Sequence, residues 1–437
     1  MTTEIAILNK QAVALATDSA VSSPNKIFQS ANKIFSLSKF APVAIMVYSR
    51  ADFCGVPWET IIKSYRNNLG SIKFNTLDEY AYNFIDFITN NDTLMLNIID
   101  EKLFVREVIH NFSLKIIENI QNIASSESKK EGHLSQLSID NIIRHVFERN
   151  FHNIEKAPPL SIRASIDKEL FFSKFNQDID DLYKKYIECF SNSIDNLYNN
   201  FRDSIFNLLT CAIFPLGYSG IVFAGFGEKQ LFPSVRSFLL GGFVFKHLQF
   251  IEDTNKNTSI NHQINAAIVP FAQDDIISMF VEGIHPGIRN NMLETFTAIL
   301  KEQTESIIKI FNISNRKKNL KHKELMNFQE TLIKKLFDNM PIITNDFVYP
   351  TIDTISILPP NELANLAESL INLTSIKRQV SLDRETVGGP TDVALISKGD
   401  GLIWIKRKHY FDSSLNHHFF NNYFQCGEPN GKDIKEK

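Results

Sequence analysis

The stretch that most constrains this chain is its first eighteen residues, Met1-Thr2-Thr3-Glu4-Ile5-Ala6-Ile7-Leu8-Asn9-Lys10-Gln11-Ala12-Val13-Ala14-Leu15-Ala16-Thr17-Asp18. Apolar residues begin at Ile5, break at Asn9-Lys10-Gln11 and resume at Ala12. Two short apolar runs around a polar turn predict a buried β-hairpin. A chain end tied into a sheet is fixed in space, whereas most ends fray. Thr2 is small, so removal of Met1 is expected, leaving a free α-amine beside a hydroxyl at a rigid position. Such a pair can act as a nucleophile with its own base. The reference pKa of an α-amine is about 7.7–8.0, so part of it is neutral and able to accept a proton near neutral pH.

Composition narrows the partners. The chain has 437 residues, enough for two or three average domains or one core with large additions. Its net charge of -3 gives no reason to expect nucleic acid or an anionic membrane as partner. With 36 Phe against 17 Gly and 15 Pro, it reads as a packed protein and not a disordered one. Cys54, Cys189, Cys211 and Cys426 have no CxxC spacing, so free thiols in a reducing compartment are the simplest reading. No basic segment precedes an apolar leader and no apolar run is long enough to span a bilayer, so a cytoplasmic protein is expected.

Along the chain, Ala20 to Ser30 reads as loop, Lys33 to Leu37 as a strand, Pro42 to Tyr48 as a covered central strand, and Pro57 to Arg66 as a helix. Helical spacing then dominates to about residue 212, divided by a polar link from Ser125 to Gly132 and closing on a long helix from Asp180 to Cys211. Strands return at Gly220–Gly227, Ser234–Gly242, Val244–Ile251 and Ala266–Phe271. A charged helical block runs from Arg289 to Phe337, Pro341 to Leu358 reads as extended, and Asn361 to Arg378 as an amphipathic helix. Thr391 to Ile405 is a hairpin with a Gly-bearing turn. Runs of strands separated by runs of helices argue for sheets covered by helices and against βαβ alternation. The divisions expected are a core in three parts (1–69, 186–287 and 351–405), two helical insertions (70–185 and 288–350) and a tail (406–437).

Familiar motifs are absent: there is no GxxxxGK[ST], HExxH or GxSxG. Gly225-Phe226-Gly227 is too short for a dinucleotide loop, and His417-His418 lacks further ligands at metal spacing, so neither cofactor nor metal is expected. Asp18 ends the second strand and Lys33 begins the next, near the end of the sheet where Thr2 starts. A Lys beside a hydroxyl lowers the cost of forming an alkoxide, and an Asp keeps that Lys charged and aimed. By spacing alone, a surface Lys–Asp pair remains the blander reading.

Thr2-Thr3-x-Ile5-Ala6 followed by Val13 to Ser19 resembles the start of a mature proteasome β subunit, or of its simpler bacterial two-ring relative. Asn32 to Phe35 is similar to that family's lysine strand, Val43 to Asp52 to its next strand and oxyanion turn, and Pro57 to Arg66 to its first helix. Ile221 to Gly242 resembles its central hairpin, Ser278 to Ile284 its serine segment, and Asp383 to Ile396 its Asp-x-x-Ser-Gly-Gly segment with the following strand. The blocks are collinear over about half the chain.

The resemblance implies an α+β N-terminal-nucleophile hydrolase, a four-layer αββα sandwich of two antiparallel sheets. It implies that Thr2 attacks, Lys33 tunes its hydroxyl, Asp18 orients Lys33, and Ser278, Asp383 and Thr386 support the amine. Thr386 stands where the family has Ser, and Val387 adds a residue before the Gly pair. The oxyanion turn departs further, with Ile45, Met46, Val47, Tyr48 and Ser49 where the family places glycine. The implied activity is a threonine-type peptidase acting on peptides or unfolded proteins in a homo-oligomeric ring, with a separate ATP-dependent unfoldase. The alternatives are a non-catalytic scaffold, or an amidase acting on a small amide.

Overall fold

The opening hairpin forms as its pattern demands. Strands β1 (Thr3–Asn9) and β2 (Ala12–Thr17) pair antiparallel, with Glu4 opposite Thr17 and Leu8 opposite Val13. Asn9 closes the turn: its Oδ1 accepts from the N–H groups of Gln11 (2.9 Å) and Ala12 (3.2 Å). Its Nδ2 donates to the carbonyls of Ile355 (3.1 Å) and Leu358 (2.9 Å), so the turn also anchors a segment near the other end of the sequence. The computed structural model describes residues 3–22, 27–91, 101–132, 134–214, 217–310, 327–329, 331–332, 334–335, 343–381, 388–409, 411–412 and 415–417.

Beyond the hairpin, β3 (Val21–Ser22) and β4 (Ile27–Phe28) form a two-residue pair inside the stretch read as loop. Then come β5 (Ile34–Ser36), β6 (Val43–Tyr48), β7 (Asp52–Phe53), β8 (Val56–Pro57), α1 (Trp58–Leu69) and α2 (Leu77–Asn90). Four helices follow, α3 (Glu101–Glu131), α4 (Gln136–Glu155), α5 (Lys168–Tyr186) and α6 (Leu197–Thr210), sharing a core that includes Ile109, Phe112, Phe147, Phe175, Ile179 and Phe201. Two expectations give way here. Ser125 to Glu131 is the end of α3 and not a link, because nothing interrupts the helix before Gly132, which stops it at φ +80°. Asp180 to Cys211 is not one helix: α5 ends at Tyr186, and Asn196, left-handed at φ +53°, precedes α6.

The chain continues through β9 (Ser219–Gly225), β10 (Ser234–Val244), β11 (His247–Glu252), β12 (Thr258–Ser259), β13 (Ala266–Ala272), α7 (Asp275–Glu282) and α8 (Pro286–Ile310). After a π-helical turn at Ile343–Val348 come α9 (Tyr349–Ile357), α10 (Pro360–Gln379), β14 (Asp392–Ser397) and β15 (Gly401–Lys406). The segment read as extended, Pro341 to Leu358, is helical over 343–357. Pro350 lies in the first turn of α9, where a missing N–H costs nothing.

The fold is α+β, with antiparallel sheets and helices. One sheet has the order β13-β1-β2-β14-β15 and the other β11-β10-β9-β6-β5, with β12 on β10. Alternation divides the side chains between cores. Ala6, Leu8 and Leu15 of the first sheet meet Met46, Val222 and Ala224 of the second. On the far face of the second sheet, Ile45, Phe223 and Phe238 pack with Ile61, Tyr65 and Phe84 of α1 and α2. On the far face of the first, Ile5, Ala14 and Leu395 pack with Ile355, Leu363 and Leu370 of α9 and α10. Among the described residues, no helix is long and apolar enough to cross a membrane.

Candidate active site

Asp18, one residue past β2, and Lys33, one residue before β5, come from different sheets and meet in the interior. Lys33 Nζ donates to Asp18 Oδ1 at 2.7 Å, with the two side chains only 5% and 1% exposed. The same Oδ1 accepts from the Thr3 N–H at 3.0 Å, while Oδ2 accepts from the N–H groups of Ala20 (3.2 Å) and Gly388 (3.1 Å). A buried ion pair repays its desolvation only when hydrogen bonds satisfy its remaining lone pairs. Here four donors from four parts of the chain converge on one carboxylate. Lys33 carries three N–H groups, and Asp18 takes one of them.

Backbone bonds hold the surroundings. Asp18 N–H donates to the Thr3 carbonyl (3.2 Å) and Ser19 N–H to the Gly388 carbonyl (3.2 Å). The Ser19 hydroxyl donates to the Pro390 carbonyl. Gly389, at φ +77°, passes so close to Gln29 that a Cβ would come within 2.9 Å of it, so glycine is required there.

The carboxyl of Glu4 lies beside this pair. On β1 it has the same parity as Ala6 and Leu8, which face the space between the sheets. It is fully buried, and among the described residues neither carboxyl oxygen has a hydrogen-bond partner. The Thr17 hydroxyl opposite donates to the Asp18 carbonyl (2.9 Å) instead. Burial pushes the Glu4 carboxyl well above the usual carboxylate range; the Lys33 cation and, less, the nearby Thr17 hydroxyl oppose that rise, and the Asp18 charge adds to it. Burial also raises the phenol of Tyr48. Sequence reading gave Glu4 no role, although a Glu at an inward position of an apolar strand was the available signal.

Of the residues expected at the oxyanion turn, Ile45, Met46, Val47 and Tyr48 lie within β6. Val47 N–H donates to the Lys33 carbonyl at 3.0 Å. N–H direction alternates along a strand. Ile45 therefore shares that β5 ladder, while Met46 and Tyr48, opposite Val222 and Gly220, face β9. Their amides are committed to the sheet because apolar residues continue the strand where glycines would break it. Ser49 is the first residue beyond the pairing; it is left-handed at φ +74°, exposed, and its N–H has no acceptor among the described residues. It lines a pocket of about 160 Å³ together with Val21, Ala31, Lys33, Val47 and Trp58.

Ser278 is half-buried on α7, and among the described residues no hydrogen bond joins its hydroxyl to Asp18 or Lys33. Thr2, Asp383 and Thr386 lie outside the described residues. Arg50, next along from Ser49, donates to Glu107 of α3 (2.7 Å) and to the Gly217 carbonyl (3.3 Å). Cys54 has its thiol pushed up to about 12 by burial. Among the described residues no group of three or more His, Cys, Asp or Glu could hold a metal.

No protein-family model and no curated protein matches the chain. Solved structures do align with it end to end, three of them as follows. One is an Anbu mutant from Hyphomicrobium sp. strain MC1, at 7% identity, covering 100% of this chain and 99% of that one, with a TM-score of 0.28. Another is Anbu, described as an ancestral beta-subunit, from Yersinia bercovieri, at 9% identity, 99% and 100% coverage, and a TM-score of 0.28. The third is Anbu from the same Hyphomicrobium strain, at 9% identity, 99% and 98% coverage, and a TM-score of 0.26. Superposition this loose says nothing about activity. The resemblance to a mature proteasome β subunit, or to its two-ring relative, with helical insertions is corrected on this finding: these three structures, which run alongside the whole chain, are Anbu proteins.

Proposed function

We propose that the chain is an N-terminal-nucleophile hydrolase that cleaves peptide bonds through Thr2 once Met1 is removed. The observation that carries this reading is the shared acceptor: Thr3 N–H and Lys33 Nζ both donate to Asp18 Oδ1. Chain connectivity attaches residue 2 directly to the Thr3 nitrogen, so the carboxylate that aims the lysine also tethers the backbone of the nucleophile. The Thr2 hydroxyl adds to the substrate carbonyl carbon as its proton passes to the free Thr2 amine. The Lys33 ammonium stabilises the negative charge on the attacking oxygen, and Asp18 holds Lys33 in place. The carbonyl oxygen that becomes negative is assigned to the free N–H of Ser49. The Thr2 amine then passes its proton to the leaving amine, and water attacks the acyl ester with the same amine as base. Ser278, Asp383 and Thr386 are proposed to support the amine.

The packing supports a helix–sheet–sheet–helix order, four layers with the site at one end of the space between the sheets. The substrate proposed is a peptide or unfolded protein in the cytoplasm, supplied by a separate ATP-dependent unfoldase. Assembly with further copies of the chain is supported by Ile288, Met292, Phe296 and Ile299, exposed at three- and four-residue spacing along α8.

The test is intact-mass measurement before and after an electrophile selective for N-terminal threonine, with T2A as control. Loss of Met1, one adduct on the wild type, and neither adduct nor peptide hydrolysis by T2A are expected; retained Met1 or an active T2A refutes the reading. A non-catalytic scaffold is the second reading, favoured by one observation, the commitment of the Ile45 to Tyr48 amides to the sheet. A protein with Thr2 free that neither labels nor hydrolyses would establish it.

A further inference from the structure

We infer that Glu4 is a positioning residue for the candidate site: a neutral acid beside the Asp18–Lys33 pair whose ionisation turns the site off. This rests on the hydrolase reading above. The geometry is that of a carboxyl sealed between two sheets, with no hydrogen bond to either oxygen among the described residues. A buried carboxylate without partners is far costlier than the neutral acid. The groups facing it are Asp18 and Thr17 from the β2 side, Lys33 ahead of β5 and Tyr48 on β6; from β13 the residue opposite is Phe271, which does not titrate. Lys33 therefore has one charged carboxylate, Asp18, and one neutral neighbour, Glu4. Asp18⁻ and Lys33⁺ together are neutral, and the negative charge that develops on the Thr2 oxygen is the one the Lys33 cation must stabilise.

Ionising Glu4 changes that balance. A second anion beside Lys33 offsets the cation's field where negative charge must develop on the nucleophile. The site therefore loses activity as pH rises through the Glu4 ionisation, and regains it on reprotonation. No bond is made or broken by Glu4; it acts through the charge that Lys33 presents.

The test uses the full chain and E4Q, which keeps the shape but carries no titrating proton. In wild type, kcat/KM for a peptide falls by about tenfold per pH unit above the ionisation, the limit for a single proton. In E4Q that alkaline limb is displaced or lost, so the ratio of high-pH to optimum activity rises at least threefold. An identical limb in E4Q overturns the proposal.

Two readouts do not need turnover. A protonated-carboxyl infrared band is expected in wild type at neutral pH and is absent from E4Q. Because the folded carboxyl holds its proton to higher pH than the unfolded one, burying Glu4 lowers stability progressively as pH rises from the unfolded value towards the folded one. The urea midpoint of E4Q therefore gains on wild type with rising pH in that window. No band, or a constant difference in midpoint, overturns the neutral acid. If wild type hydrolyses nothing while these two readouts hold, the hydrolase reading fails and takes the control of rate with it, and the neutral Glu4 stands.

Discussion

Replacing Asp18 by Asn tests the site at its most connected atom. The carboxylate accepts four hydrogen bonds, from Lys33 Nζ and from the N–H groups of Thr3, Ala20 and Gly388. Asn keeps one acceptor oxygen and turns the other into a donor facing N–H groups. It also leaves the Lys33 ammonium buried without its counter-charge. Removing one partner of a buried pair costs about 3–5 kcal/mol, against a typical domain stability of about 5–15 kcal/mol. D18N is expected to lose that much in urea unfolding, followed by circular dichroism and by the fluorescence of buried Trp58. K33M removes the cation instead, so D18N/K33M is expected to be more stable than the sum of the single losses predicts, by about 1–3 kcal/mol. A D18N loss under about 1 kcal/mol, or an additive cycle, would refute the claim that this pair holds the site together.

Two further outcomes follow from the backbone and the thiols. Ser49 occupies a left-handed conformation that costs a side-chain-bearing residue about 1–2 kcal/mol, so S49G should raise the melting temperature, and a lower one would contradict the strained turn. Among the described cysteines, Cys189 is exposed, Cys211 buried, and Cys54 has its thiol pushed up to about 12. A thiol reagent near neutral pH should modify Cys189 long before Cys54, as peptide mass mapping would show.

The first hairpin was legible because its cues agree: apolar runs, a turn at Asn9 and a strand-ending Asp18. Lys33 was legible because its strand follows directly. The Gly388 and Ala20 donors were not, since a backbone N–H leaves no mark in sequence and Gly388 is 370 residues from Asp18. The segment 343–357 misled because prolines flag extended chain as readily as a helix start, and only tertiary packing decides. Ile45 to Tyr48 stay in the strand because this chain carries apolar residues where the resemblance places a glycine turn. With Val, Ile, Met and Tyr there, the strand runs on to Ser49. Glu4 went unassigned because its meaning depends on what lies across the sheet from it.

The carboxylate that gathers the site also sets when the site can exist during synthesis. Thr3, Asp18 and Lys33 are made long before the Gly388 donor and strand β14, which pairs with β2 from Asp392 to Ser397. Until then the β2 edge is open and one carboxylate oxygen lacks a donor that it has in the folded protein. Contacts this distant in sequence form late, so a growing chain carries an unassembled site until the 370 residues that separate Asp18 from Gly388 have been added. The geometry around Asp18 is therefore gained only once β14 has been made and has paired with β2.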